Sequence, residues 1–493
     1  MANESNGLTQ DLWLAELKRS ISIDRMSKSI VTILVALVLS LQIPAQNPQD
    51  NREIRIRQLE AQVQTILVEL EKLRRESQTP VETAKVTPAK PVESIEKRSE
   101  PDKKPIGIDI GNGIKLIPYG TIYFNAYGNS GGTNNADVPV FATQTGSGNA
   151  SASVRQTRLG IKLEGARIGK ARLGAVIEGD FFGGFPSVAI GENFGVFRLR
   201  LAYARLDWER TALTVGQDWM VFAPVNPVSM AAAGNPQMGG GGNLWARLPQ
   251  VRVDRKLNGN VTLQAAVLQP QTGDFATNAA FFVQPTSGMA SRVPFLQSRL
   301  AYSNADWFGT KKAGSIGVSG HFGRSRVFTG AANVPNDIES AGIAADWNFP
   351  VAKRVTVAGE IFWGRNLGGF QGGVLQSYNN DFANSDGSSL IPGGVRSIGT
   401  QGGWLQIGFI PPMLNNRLGI YGSFGIDDPV NSDLFSLSHR DWRTRNFVIA
   451  ANAIYKFTPQ LAVGAEFRRF QTDYFYSGRK NANHVNLGAT YTF

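Results

Sequence analysis

The chain has 493 residues, a formal net charge of +11 and no cysteine, which excludes disulfides and thiolate metal centres. Past the first 45 residues no apolar stretch is long enough for a membrane-spanning helix. The 54 glycines and the 10% aromatic content fit many short strands, and the Arg residues are scattered singly along them, which reads as a basic pore lining rather than a clustered nucleic-acid site.

Residues 1–45 read as an upstream extension followed by an export signal. A short amphipathic run, DLWLAELKRS, precedes MSKSIVTILVALVLSLQIPA, which begins at Met26. Lys28 supplies the basic region, Ile30–Ile43 the apolar core and Ala45 a small cleavage residue, so Met26 is the expected start. The core is short for a membrane anchor.

Residues 46–77 are predicted to form a coiled-coil helix. Ile56, Leu59, Val63, Ile66, Leu70 and Leu73 repeat at alternating spacings of three and four, a heptad seam. So short a helix is marginal alone, and self-association is its natural source of stability. A lone amphipathic helix is the alternative. Residues 78–105, rich in Pro, Lys, Glu and Thr, read as an extended periplasmic spacer.

Residues 106–493 switch to period-two alternation. The pattern predicts an all-β transmembrane barrel of about 16 antiparallel strands. Short connections, as near 166–168, 209–210 and 349–351, alternate with longer ones, as near 129–150, 223–246 and 365–398. In transmembrane barrels short turns face the periplasm and long loops face outside. The last stretch, KNANHVNLGATYTF, alternates Val485, Leu487, Ala489, Tyr491 and Phe493 with small or polar residues. Its apolar face suits a strand that pairs with the first one in lipid.

The alternation sorts side chains. Leu159, Ile161, Leu163, Leu199 and Leu201 fall on the lipid face. By the same parity Arg158, Lys162, Arg172, Arg198, Arg200, Arg252, Arg299 and Arg468 point into the lumen, among Glu164, Glu178, Asp180, Asp254 and Glu466. A charge facing lipid at mid-depth costs a few kcal/mol, so inward is the cheap placement. These residues are the expected solute path, with Arg–carboxylate packing of the wall as the alternative. The stretch APVNPVSMAAAGNPQMGGGGNLWARLPQ, weakly charged and rich in Gly, Ala and Pro, is expected to fold inward as a constriction loop. Its candidates are Met230, Met238, Gly239, Gly242 and Arg247.

The segments PYGTIYFNAYG, RQTRLGIKLEG, LGAVIEGDFFG, FRLRLAYARLDW and LTVGQDWMVF, followed by the Gly-rich loop, resemble the opening strands of Gram-negative porins. With the export signal, heptad helix and spacer in front, the chain is similar to the DcaP-like porin family. That resemblance implies a homotrimer of barrels with an N-terminal coiled coil, and passage of small anionic solutes such as dicarboxylates. It fixes no individual binding residue. Phosphate- and sugar-selective porins are neighbouring readings.

Enzyme signatures are weak. Gly128–Gly132, GNSGG, fits G-x-S-x-G but has no strand–turn–helix context. The three histidines, His321, His439 and His484, have no zinc spacing, and the Gly239–Gly242 run lacks the Lys of a phosphate loop. No catalytic residue, metal or cofactor is expected. The predicted function is a trimeric outer-membrane porin for passive diffusion of small anions, in contact with itself and with outer-membrane lipid, and not with nucleic acid. The alternatives are a barrel that tethers peptidoglycan through its coiled coil, or a barrel hydrolase.

Overall fold

The computed structural model describes residues 107–111, 113–184, 195–273, 285–329, 332–383 and 394–493. The export signal, heptad helix and spacer lie outside the described residues. Sixteen staves close into an antiparallel barrel. They are β1 (Lys115–Thr133), β2 (Ala142–Ser153 and Arg158–Ile168), β3 (Ala171–Asp180), β4 (Arg198–Asp207), β5 (Thr211–Trp219), β6 (Arg247–Lys256), β7 (Val261–Leu268) and β8 (Phe295–Asn304). The second half comprises β9 (Gly314–Thr329), β10 (Val334–Ala352), β11 (Val355–Arg365), β12 (Gly399–Phe409), β13 (Leu418–Pro429), β14 (Arg443–Lys456), β15 (Leu461–Tyr474) and β16 (Gly478–Thr492).

Each stave pairs with its sequence neighbours. β1 pairs with both pieces of β2, from Thr133↔Ala142 to Lys115↔Glu164, so the two pieces are one stave broken at 154–157. Closure is made by β1 and β16, in register from Thr121↔Thr492 to Asn129↔His484. The terminal residue completes it: Phe493 N donates to Gly120 O at 3.0 Å and Gly120 N donates to Phe493 O at 3.1 Å. Gly120 suits this seam because a Cβ would sit 2.8 Å from Arg158 O, a backbone atom that cannot swing aside.

The expected connection at 129–150 is corrected. Most of it is strand, and the loop is only 134–141. Its Gly, Ser, Thr and Asn residues look like loop, but the ladder carries them because β1 and β2 extend past their apolar parts together.

Every stave shows at least one large apolar side chain on the outside, among them Ile122, Ile161, Ile177, Val215, Phe322, Trp363, Ile407 and Leu487. Alternate positions such as Ser319, His321, Asp346, Glu360 and Glu466 are buried inside. This inverts a water-soluble protein: contiguous apolar exposure on this scale suits lipid.

The interior is not an open tube. Residues 220–246, between β5 and β6, and residues 366–383, after β11, pack inside the barrel. Phe222, Leu244, Phe295, Phe362, Leu367 and Phe370 form their shared apolar core. Each such side chain contributes roughly 1.5–3 kcal/mol on burial. The 134–141 loop adds Val140 and Phe141, which pack with Val374. All three loops lie at the same barrel end, here the loop end; the opposite end carries connections such as 169–170, 208–210 and 353–354 and is the turn end.

Candidate functional site

The loop at 220–246 is held by side chains the barrel presents inward. Gln156 Oε1 accepts from Ala233 N at 2.8 Å and Gly234 N at 2.7 Å, and Gln156 Nε2 donates to Ala231 O at 2.9 Å. On β15, Glu466 accepts from Ser229 Oγ and from Gln237 Nε2. Gln406 on β12 donates to Val228 O and accepts from Val228 N. On β11, Glu360 Oε1 accepts from Leu244 N at 2.8 Å.

The loop's composition follows from this seat. Met230 packs its sulfur beside Gly464 and Gly488, and Met238 lies among Trp404, Val448 and Phe470. At Gly242, φ is +110° and a Cβ would come 2.1 Å from Gly403 O; at Gly239 a Cβ would meet Gln371 Oε1. The glycine run thus brings loop backbone against wall backbone, a contact side chains would block.

Two cavities remain along the β3–β7 wall. A cavity of about 430 Å³ toward the loop end is lined by Arg198, Gln217, Trp245, Arg247, Gln271 and Gln371, among others. A second, of about 520 Å³ toward the turn end, is lined by Arg167, Lys170, Arg172, Arg205, Asp254 and Gln264, among others.

The wall here carries the charge. Arg198 is bidentate on Asp180, with Nε–Oδ1 at 3.0 Å and Nη2–Oδ2 at 2.7 Å, and it also donates to Gly234 O. Arg200 bonds Glu178 Oε1 at 2.7 Å and Asp180 Oδ2 at 2.8 Å. Arg158 lies 3.5 Å from Glu178 and donates to Ala233 O. Arg247 lies over two indoles, 4.7 Å from the Trp219 ring centre and 5.1 Å from that of Trp245. Its Nη2 donates to Gly234 O and its buried Nη1 has no hydrogen-bond partner among the described residues. Among the described residues three guanidiniums (Arg158, Arg198, Arg200) thus share two carboxylates (Glu178, Asp180), and Arg247 stands beside them with none, an excess of two positive charges at low dielectric.

The other predicted positions divide. Lys162 lies over the Tyr119 ring, and Arg172 lines the turn-end cavity. Arg252 is paired with Asp218 at 3.0 Å and Asp254 at 3.2 Å. Arg299 is paired with Asp346, and Arg468 with Glu466 at 3.1 Å. An open lining is corrected for two of them: the Arg200 side chain is 3% exposed and that of Arg468 2%, each covered by a loop and matched to a carboxylate. They are wall and loop seat, not free cations.

Sequence reasoning missed three features. Gln156, Gln406 and Glu360 look like any inward polar residue until the loop sits on them. Residues 366–383, NLGGFQGG at their start, read as surface loop. Trp219 and Trp245 read as aromatics of strand ends, yet they bracket Arg247.

The enzyme-like elements do not assemble. Gly128–Gly132 lies within β1. His321 Nε2 is 2.9 Å from Ser340 Oγ, but both are buried behind Phe222, Phe295 and Phe370, with Gln297 rather than a carboxylate at Nδ1. His484 is buried against Asn129, and His439 is in a surface loop.

No family model and no curated protein sequence matches the chain. Solved structures do. The outer membrane channel DcaP of Acinetobacter baumannii superposes with a TM-score of 0.59 at 20% identity, over 78% of this chain and 99% of that one. OmpF of Salmonella typhi, in complex with daunomycin, gives 0.48 at 15% identity, over 79% and 100%. An anion-selective porin from Comamonas acidovorans gives 0.46 at 13% identity, over 77% and 100%. The first of these carries the comparison: in fold, the chain is similar to the DcaP channel, a closed antiparallel β-barrel.

Proposed function

We propose that the chain is an outer-membrane porin of the DcaP-like kind, through which small, preferentially anionic solutes diffuse passively. The observation that carries this reading is the group Arg158, Arg198, Arg200 and Arg247 with, among the described residues, only Glu178 and Asp180 to balance it, beside the space left by the inward loops. Excess positive charge between low-dielectric walls raises the local concentration of anions and lowers their entry barrier. The carboxylates already engaged by Arg198 and Arg200 keep a passing anion from being held too tightly, which conduction requires. A small anion such as a dicarboxylate would meet two cationic stations in turn, one at Arg198 and Arg247 and one at Arg172. The apolar exterior supports an outer-membrane location. A homotrimer, with the heptad helix of residues 46–77 in the periplasm, completes the reading.

The deciding experiment is the reversal potential of the purified, signal-cleaved protein in a planar bilayer under a KCl gradient. Chloride preference, with conductance in steps of three, is the expected result. Cation preference would mean that the wall carboxylates dominate. A folded protein without conductance would favour a plugged anchor that tethers peptidoglycan.

A further inference from the structure

The turn-end cavity gathers cations that the chain does not pair. Arg167 and Arg172 stand directly opposite each other across the β2–β3 hairpin, and Lys170 lies in its turn. Arg172 shares the inward parity of the buried Glu178 and Asp180, and all three cations line the cavity. Side chains placed directly opposite start about 5 Å apart, and like charges there destabilise the hairpin. Local conflicts of this kind collect at functional sites.

The surrounding carboxylates do not balance the group. Arg205, Arg210 and Lys256 also line the cavity, against Asp207, Glu209 and Asp254, so six cations meet three carboxylates. Two of the three are already engaged: Arg205 bonds Asp207 at 3.0 Å and Asp254 at 2.7 Å, and Arg252 adds to Asp254 at 3.2 Å. Charges beyond the lining cancel. Arg252 is matched by Asp218, and on the β1–β2 side Lys115 and Lys162 are matched in number by Asp109 and Glu164. Among the described residues Arg167, Lys170, Arg172, Arg210 and Lys256 make no ion pair, and all five are exposed. The loop-end wall is different: Arg198 and Arg200 hold Glu178 and Asp180, so an anion passing there competes with carboxylates already in place.

We infer that Arg167 and Arg172, with Lys170, form a binding site for a phosphate dianion, carried either by inorganic phosphate or by a small phosphate ester. Two guanidiniums and an ammonium at one hairpin suit a ligand that concentrates two negative charges on one tetrahedral group and offers several acceptor oxygens. A dicarboxylate divides the same charge between two ends. The inference deepens the porin reading and rests on it for the route by which a solute reaches the cavity; binding itself does not require conduction.

Isothermal titration calorimetry of the intact, detergent-purified protein tests it, with inorganic phosphate, glycerol phosphate and succinate as probes at mildly alkaline pH, where phosphate is a dianion. The two phosphates should bind saturably, and succinate more weakly than either. Tighter binding of glycerol phosphate would mark an ester as the ligand and tighter binding of inorganic phosphate the simple ion; either supports the site. Arg167→Gln and Arg172→Gln should each weaken phosphate binding about tenfold, the effect of losing one charge-assisted hydrogen bond. Both variants should be at least as heat-resistant as the wild type, since each removes a like-charge pair and orphans no carboxylate. Lys353→Gln, which removes a charge from the same barrel end at the β10–β11 turn, should leave binding unchanged. No saturable binding of either phosphate, wild-type affinity in the two folded arginine variants, an equal loss in Lys353→Gln, or succinate bound as tightly as phosphate would overturn the inference. Phosphate binding by a protein that conducts no ions would keep the site and remove the porin reading; chloride conduction without phosphate binding would do the reverse.

Discussion

Gln371 Nε2 donates a hydrogen bond to Asn235 Oδ1 at 2.8 Å, and that bond joins the two loops that fill the barrel. Gln371 also lines the loop-end cavity, so one side chain both clamps the loops and narrows the space between them. Gln371→Ala should therefore raise single-channel conductance, by removing bulk from the cavity and a bond worth about 1 kcal/mol between the loops. The barrel should keep its heat resistance, because the apolar contacts of Phe222, Leu367 and Phe370 remain. Lower or unchanged conductance in planar bilayers would place the narrowest point elsewhere.

The arginines of the β3–β6 wall should separate into two kinds when replaced. Arg247 has indoles for neighbours and no carboxylate, so Arg247→Gln removes a positive charge without orphaning a negative one. Chloride preference should fall while the protein folds normally. Arg200→Gln is different: Glu178 and Asp180 both lose a buried partner, and breaking such a pair costs about 3–5 kcal/mol. Heat-shift electrophoresis on both variants, alongside reversal potentials, reads the two effects separately. Equal loss of stability in the two proteins would contradict the division.

The barrel was legible because its rule is local. Residues such as Leu159, Ile161 and Leu163 alternate with inward ones, and each stave repeats that rule, so the short connection expected near 209–210 is found at 208–210. The exception, Ala142–Ser153, has little to bury on either face; pairing with β1, not its own pattern, makes it a strand. The inside was less legible. Parity puts Arg200 and Arg468 in the lumen but does not say that a loop will cover them. That depends on contacts between residues far apart in sequence, such as Leu244 with Glu360 and Arg468 with Pro139. Arg247 was singled out by its place at the loop's exit, while its two indole neighbours were not.

Gly242 should be the least replaceable glycine of the inward loop at 220–246. Its φ of +110° disfavours any side chain, and a Cβ would press on Gly403 O, which is wall backbone and cannot swing aside. Gly242→Ala should lift the loop from β12 and β13. The expected signs are noisier, larger conductance and earlier loop cleavage by protease, in a barrel that still migrates as folded. Gly259→Ala is the control: nothing lies within 4 Å of a Cβ there and no positive φ is involved. Equal behaviour of the two variants would show that the loop has other ways to seat.

Asp441 gives the loop end a pH dependence. Burial pushes its carboxyl upward, but the amides of Tyr476 and Ser477 and the Gln144 side chain, all donating to it, more than offset this and hold it below the ordinary value of 3.8. A carboxyl depressed in the folded state stabilises above its unfolded pKa, and the benefit is lost as pH falls through the folded one. The turn at 475–477 should therefore be firm above 3.8 and loosen below it. Pepsin, active in this acid range and selective for aromatic residues, reads the effect at Phe475 and Tyr476. Cleavage there should rise as pH falls, relative to an Asp441→Asn protein in which the amide cannot titrate and the turn is already loose. The difference between the two proteins should shrink toward the acid end. A constant ratio across the range would mean that the Asp441 carboxylate does not hold the turn, and that Trp442, whose backbone oxygen accepts from Phe475 N at 2.9 Å, holds it instead.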